Sequence, residues 1–369
     1  MTSLHTAHLR HAMYYEIVLR TAEQLYEQGG EAINNGLELL DLEWANIKLA
    51  QAWAEKYSKN DFRAAKLCSD YSNVGEYSLD LRLHPHERIG WRKASLTAAR
   101  RLADYSAEGK HLNTLGLAYA DLCEMDQAIE YFHEALVIHR RIGDRHGESV
   151  VLGNLGGAYS RLGYLNPAIR CHEEALLIDQ ETGDRHGEAQ DRGNVGLVYY
   201  LSGDTHCAAE FYEKALVIYQ ELRDRHGEGV MLSNLGLAYA ALSNTKRAIE
   251  LDERALMVFR EIRDRQGEGA VLGNLGRAYV DLREPHRAIE LFDQHLRIAR
   301  EINDLRGEAN SLFGMSLALH QIGQHDHAIA FGKSAVRMFD HIGDPFGAKV
   351  REHLARWVIE NHRETKPIL

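Results

Sequence analysis

Apolar positions in the middle of the chain recur with helical spacing, and the whole pattern then repeats as a block. Leu152, Leu155, Gly156 and Tyr159 stand at i, i+3, i+4 and i+7, the stripe of an amphipathic helix. Ala168, Ala175, Leu176 and Ile178 form a second stripe, and the turn Leu-Gly-Tyr-Leu-Asn-Pro at 162–167 joins the two. Pro167 fits a first helical turn, where a missing N–H costs nothing. Pro85 and Pro285 share one register at the equivalent turn. The string LGNLGGAY at 152–159 returns as RGNVGLVY at 192–199, LSNLGLAY at 232–239 and LGNLGRAY at 272–279, with weaker copies at 112–119 and 312–319. Asp144, Asp184, Asp224, Asp264, Asp304 and Asp344 keep the same forty-residue step, as do Gly147, Gly187, Gly227, Gly267, Gly307 and Gly347. The pattern predicts a stack of antiparallel helix pairs.

The joints between pairs carry their own signals. In GDRHGE at 143–148 and 183–188, Gly143 suits the left-handed residue that ends a helix, and the Asp144 carboxylate suits the cap of the next. Gly156, Gly196, Gly236 and Gly276 sit mid-helix, where glycine costs roughly 1 kcal/mol, so close packing must offset it. One pair cannot bury its own apolar face, and stacking on neighbours does so, which predicts an extended solenoid with special ends.

Those ends are visible. Trp44, Trp53, Trp91 and Trp357 all lie outside the six regular units at 110–345. Residues 61–109 read as a degenerate first repeat, with Ile89, Leu96, Asp104 and Glu108 in register with Ile129, Leu136, Asp144 and Glu148. Residues 1–60 read as an N-terminal cap of two long helices broken near Gly29-Gly30, with Leu37, Leu40, Trp44 and Ile47 on one face of the second. Residues 346–369 read as a closing helix, with Leu354, Trp357 and Val358 inward, and a tail from Arg363 expected to be disordered.

Composition narrows the function. The 369 residues would otherwise suggest two or three globular domains, and 45% apolar content supplies ample core. A net charge of −11 argues against a nucleic-acid or anionic-membrane binder. No apolar run approaches the roughly 18–20 residues of a membrane span, and the start MTSLHTAHLRH lacks a signal peptide's apolar stretch. Cys68, Cys123, Cys171 and Cys207 are scattered without CxxC spacing, so a reduced, cytoplasmic setting is expected.

The small–large pattern of Leu155, Gly156, Tyr159, Ala168 and Ala175 resembles the tetratricopeptide repeat family. The forty-residue period and the GDRxGE joint are similar to the longer variety found in Pins-type spindle regulators and kinesin light chains. The likeness covers 110–345 closely and 61–109 loosely. RHAMYYEIVLRTAEQLY at 10–26 and LELLDLEWANIKLAQAWA at 37–54 resemble the helical region before the repeats of bacterial regulators of the STAND ATPase class. The resemblance implies an all-α, right-handed superhelical solenoid of antiparallel helix pairs, with a concave groove that takes a protein or peptide ligand.

By that pattern the groove holds the ladder Asn154, Asn194, Asn234 and Asn274, flanked by Leu197, Leu237, Tyr200 and Arg277. Asparagine both donates to and accepts from a peptide backbone. At roughly 10 Å between neighbouring helices, such a row grips an extended segment but does not form a compact catalytic site. The other reading is that these amides bond within or between helices. Arg192 replaces an apolar residue and has two readings, a snorkelling helix-start charge or a ligand contact. Only Arg277 suits a carboxylate clamp, which argues against a chaperone tail as ligand.

Little else carries chemistry. Arg145, Arg185, Arg225 and Arg265, and His146, His186 and His226, form ladders at the joints, where inter-repeat polar contact is the plain reading. Histidines one repeat apart are too distant to share a metal. Gly332-Lys333-Ser334 imitates a phosphate loop, but His327 stands where its first glycine belongs. His295 replaces the alanine of other units, so looser packing is expected there. No nucleophile arrangement is present. The expectation is a non-catalytic interaction scaffold without cofactor or metal, a monomer or a dimer through residues 1–60. The alternatives are the sensing arm of a STAND-type ATPase and a self-assembling solenoid.

Overall fold

The computed structural model describes residues 3–75, 79 and 81–364, with the side chains of Ser3 and 358–364 excepted. Among the described residues there are helices and no strands. The chain forms two compact units, residues 1–184 and 185–369.

The first unit opens with α1 (Ser3–Gln28) and α2 (Ala32–Tyr57), packed on each other as a hairpin through Gly29 and Gly30, both at positive φ. Then come α3 (Phe62–Val74), α4 (Pro85–Leu102), α5 (Tyr105–Asp121), α6 (Met125–Ile142), α7 (Arg145–Arg161) and α8 (Leu165–Thr182). Leu40 and Ile47 of α2 are fully buried, while Leu37 and Trp44 are half-buried. Trp44 stacks on Trp91 with ring centroids 6.1 Å apart. Tyr71 is buried and donates its hydroxyl to the Ala12 carbonyl at 2.7 Å, tying α3 to α1.

The second unit comprises α9 (Arg185–Ser202), α10 (Thr205–Leu222), α11 (Arg225–Ala241), α12 (Thr245–Glu261), α13 (Arg265–Asp281), α14 (Pro285–Glu301), α15 (Leu305–Gln321), α16 (His325–His341) and α17 (Phe346–Glu364). Here α9, α11, α13 and α15 are the first helices of successive pairs, and α9 packs on α11, α11 on α13 and α13 on α15. The last pair is closed by Leu354 and Trp357 of α17, both buried. The tail expected from Arg363 lies outside the described residues from 365 onward, as does the side chain of Val358.

Within each pair the helices meet where a glycine of the first receives a side chain of the second. A Cβ on Gly156 would stand 2.6 Å from His172 Nε2, and one on Gly196 would stand 2.8 Å from Tyr212. Gly116 with Phe132 and Gly276 with Phe292 repeat the contact. The last pair reverses it: Ser316 takes the glycine's place, and Gly332 of α16 supplies the room. The Ser316 hydroxyl then donates to the Ala328 carbonyl at 2.6 Å.

The joints are built as the sequence suggests, with one addition. Asp104, Asp144, Asp224, Asp264 and Asp304 accept from the backbone N–H three residues on, at 2.8–3.0 Å. The preceding helix ends in a left-handed residue, and the next N–H reaches back to a carbonyl of its last turn, as Asp144 does to His139 at 3.0 Å. That conformation is adopted by Gly143 but equally by Ala103, Arg223, Arg263 and Asn303. The stacking therefore imposes it, whether or not glycine is present.

Joints are also crossed by charge. The nearly buried Glu148 accepts from Arg140 of α6 and Arg145 of its own helix, both at 2.7 Å, and Arg145 reaches Glu181 of α8 at 2.5 Å. In the second unit Arg260 and Arg265 hold Glu268 in the same way, and Arg265 reaches Glu301. A buried carboxylate is tolerated because two guanidiniums compensate it. The histidine ladder contacts the capping aspartates: His226 lies 3.2 Å from Asp264 and His186 3.4 Å from Asp224.

Asp252 occupies the place of the rings of Phe132, Tyr212 and Phe292, and it is 2% exposed with Oδ1 unpartnered among the described residues. Burial pushes its carboxyl up to about 8, with the neighbouring Asn274 amide in partial opposition.

Two stability outcomes follow. A left-handed L-residue costs about 1–2 kcal/mol, less the unfolded-chain entropy of glycine, so Arg223→Gly should stabilise the protein by up to about 1 kcal/mol in urea unfolding. No gain would mean the joint carries no strain. Between about 4 and 8 the native state keeps the Asp252 proton that the unfolded chain has released, so this group lowers stability as pH rises. Melting curves of Asp252→Asn should therefore gain on wild type from pH 4 to pH 8, by at most about 1.4 kcal/mol per unit. Parallel curves would contradict the buried neutral acid.

Candidate functional site

The candidate groove residues all lie on first helices. Asn154 is on α7 of the first unit; Asn194, Leu197 and Tyr200 are on α9, Asn234 and Leu237 on α11, and Asn274 and Arg277 on α13 of the second. Leu197 is 43% exposed, while Leu237 and Tyr200 are half-buried. An apolar side chain left exposed beside amides on packed neighbouring helices is what a binding surface requires.

The amides do not behave alike. Asn154 Nδ2 donates to Asn113 Oδ1 of α5 at 2.9 Å, bridging two first helices. Asn274 Nδ2 donates to Ser233 Oγ of α11 at 3.3 Å, a bridge of the same kind. Asn194 Nδ2 makes a long 3.5 Å contact to Asp191 of its own helix. Asn234 makes no side-chain hydrogen bond among the described residues, because the position preceding it by one repeat and one residue is Gly193. Arg192 folds back on its own helix, with Nη2 2.8 Å and Nε 3.2 Å from Glu188 Oε1. Arg277 is exposed and has no ion pair among the described residues.

Between α13 and α15, with α14 beneath, lies a cavity of about 490 Å³ that sequence reasoning did not find. Asn274 and Arg277 line it from α13, Phe292 and His295 from α14, and Asn310, Phe313 and Leu317 from α15. His295 does not simply loosen the packing. Its partner change is Ala299, which stands where His139, Tyr219 and Phe259 fill other units, so ring volume has moved one helical turn. The imidazole now lies against Gly269, Gly273 and Gly307. It is 7% exposed, with Nδ1 unpartnered among the described residues. Burial lowers its pKa, with the Asp304 carboxylate opposing. The signal for this cavity was the pair of departures at 295 and 299, together with Gly314 where the asparagine ladder stops.

No group of described residues could hold a metal ion, and no described helix is long and apolar enough to cross a membrane. Gly332-Lys333-Ser334 is part of α16, with Gly332 against Leu354, and forms no phosphate loop.

Three of the solved structures that this chain resembles in fold illustrate the likeness. Aspartyl phosphate phosphatase F from Bacillus subtilis is 12% identical, over 97% of this chain and 94% of that one, with a TM-score of 0.57. A STAND protein with a tetratricopeptide repeat sensor from Pyrococcus horikoshii is 15% identical, over 95% of this chain and 64% of that one, at 0.56. A Rap protein complexed with competence and sporulation factor is 13% identical, over 83% of this chain and 99% of that one, at 0.50. A search among curated proteins gives no match. The sequence pattern of the tetratricopeptide repeat matches residues 108–181, 165–221, 227–301 and 267–341, more than half of the chain. With its glycine-seated helix pairs and capped joints, the chain belongs to the tetratricopeptide repeat family.

Proposed function

We propose that this protein is a non-catalytic interaction scaffold that takes an extended or helical protein segment along the first helices of its pairs. The observation that carries the reading is in the second unit, where Asn194 and Asn234 stand on neighbouring helices beside Leu197, Leu237 and Tyr200. Leu197, Leu237 and Tyr200 supply apolar area for affinity, and the amides fix the backbone of the bound segment. Asn234 is the strongest contact, since its amide has no other side-chain partner among the described residues. Asn154 and Asn274 act first as struts between helices, and Arg277 lends a positive charge at one end. Arg192 belongs to the joint rather than to the ligand.

In this reading residues 1–60 cap the array, 61–109 are a degenerate first repeat, 110–345 carry the six units, and 346–369 close it. The partner is a protein or peptide, without nucleic acid, cofactor or membrane, in a cytoplasmic setting that suits four free cysteines. A second reading, the sensing arm of a STAND-type ATPase, draws support from the Pyrococcus horikoshii likeness, which spans 95% of this chain and so takes in much of the N-terminal hairpin. In that case the partner includes an ATPase.

Asn234→Ala with Leu237→Ala should leave the melting temperature within a few degrees, since neither side chain is fully buried. The same variant should lose at least tenfold in capture of its partner from native cytosol, read by mass spectrometry. Equal capture by wild type and variant would remove the groove reading and move attention to α1 and α2.

A further inference from the structure

The cavity between α13 and α15 has a chemical character that the rest of the asparagine face lacks. Phe313 and Leu317 on α15 give it apolar walls, and Phe292 with His295 on α14 form its floor. The floor holds one polar atom out of place: His295 Nδ1 is buried and unpartnered among the described residues. Such an atom costs free energy that a bound group recovers by pairing with it.

The two nitrogens of the ring face different neighbours. A Cβ on Gly307 would lie 3.2 Å from His295 Nε2 and would also overlap the Asp304 carboxylate, so Nε2 is the ring nitrogen on the anion's side. Nδ1 is the ring nitrogen left without a partner among the described residues. It faces Gly273, where a Cβ would come within 2.9 Å, and Gly273 is half-exposed at the cavity edge. Glycine there puts no side chain over Nδ1, and pairing with a ligand calls for an outward turn of the ring past it. The asparagine that would project from α15 is absent, because residue 314 is glycine.

We propose that this cavity is an anchor pocket for a tyrosine side chain of the bound segment, with the phenol hydroxyl donating to His295 Nδ1 and the ring held by Phe292, Phe313 and Leu317. Apolar side chains around one buried ring nitrogen match an aromatic body with a hydroxyl at its tip, and Asn274, Arg277 and Asn310 also belong to the lining. A volume of about 490 Å³ falls in the range of sites for small organic groups. An aliphatic anchor leaves Nδ1 unpaired, whereas a phenol hydroxyl pairs with it. The inference rests on the groove reading for the source of the tyrosine.

The test uses the whole chain and two small probes, N-acetyl-L-tyrosinamide and N-acetyl-L-phenylalaninamide, followed by long-range proton–nitrogen NMR of the imidazoles. His295→Leu, which keeps the bulk, assigns the His295 signals. The tyrosine probe should shift the His295 Nδ1 resonance and bind about tenfold more tightly than the phenylalanine probe, the effect of one buried hydrogen bond. His295→Leu should remove that preference while melting as a folded protein. Equal binding of the two probes, an unmoved Nδ1 signal, or no binding by either would overturn the proposal without recourse to the variant. The two readings fail separately. Loss of partner by Asn234→Ala with Leu237→Ala, without any tyrosine preference, removes only the pocket. A tyrosine preference with undiminished partner capture removes only the groove.

Discussion

Everything in this fold depends on how closely the two helices of a pair approach, and that distance is set by a side chain seated on glycine. His172 lies on Gly156, Tyr212 on Gly196 and Phe292 on Gly276, each closer than a Cβ would permit. The helix-propensity cost of glycine, about 1 kcal/mol, is offset by burying a large side chain flush against backbone. The contact also fixes the phase of the pair, because the ring can enter only at the bare turn of the opposing helix. Once phase is fixed, the joint follows: the helix end, its left-handed residue and the aspartate cap fall at the same place in each repeat.

A regular scaffold makes irregularity informative. The departures gather between α12 and α16, where Asp252 replaces a ring, His295 and Ala299 exchange volume, Gly314 ends the asparagine ladder, and Ser316 and Gly332 reverse the glycine contact. The last of these is explained by the chain's end, since Leu354 of α17 packs against Gly332. The changes at 252 and 295 instead leave buried polar atoms unpaired, and stability alone does not account for them. Meanwhile the arginine and glutamate ladder runs across the joints of both units. It holds neighbouring pairs together, so that first-helix residues are free to vary.

The fold was legible because its signals are local or periodic. Helix pairs, aspartate caps, close-approach glycines and the tryptophan-bearing ends each leave a mark within a few residues or at a fixed step. The left-handed residue was legible only where glycine stands, as at Gly143. At Arg223 or Asn303 the same conformation is imposed by stacking, which no local preference announces. The site was legible in outline only. The asparagines were identified as a row, but their differing roles turn on what lies 41 residues earlier: Asn113 for Asn154, Gly193 for Asn234 and Ser233 for Asn274. The cavity draws on four helices at once, α13, α14, α15 and α17. His295 appeared in the sequence as a packing defect, and its meaning emerged only beside Ala299, Gly273 and Gly307.

The central claim is that the first-helix face of the second unit, rather than the outward face of the second helices, meets the partner. Photo-crosslinking in native cytosol tests it most directly, with a crosslinking side chain placed singly at Leu197 on α9 or at Val217 on α10, both exposed. The account predicts a discrete crosslinked partner from position 197 and none from 217. A partner trapped from 217 and not from 197 would contradict it.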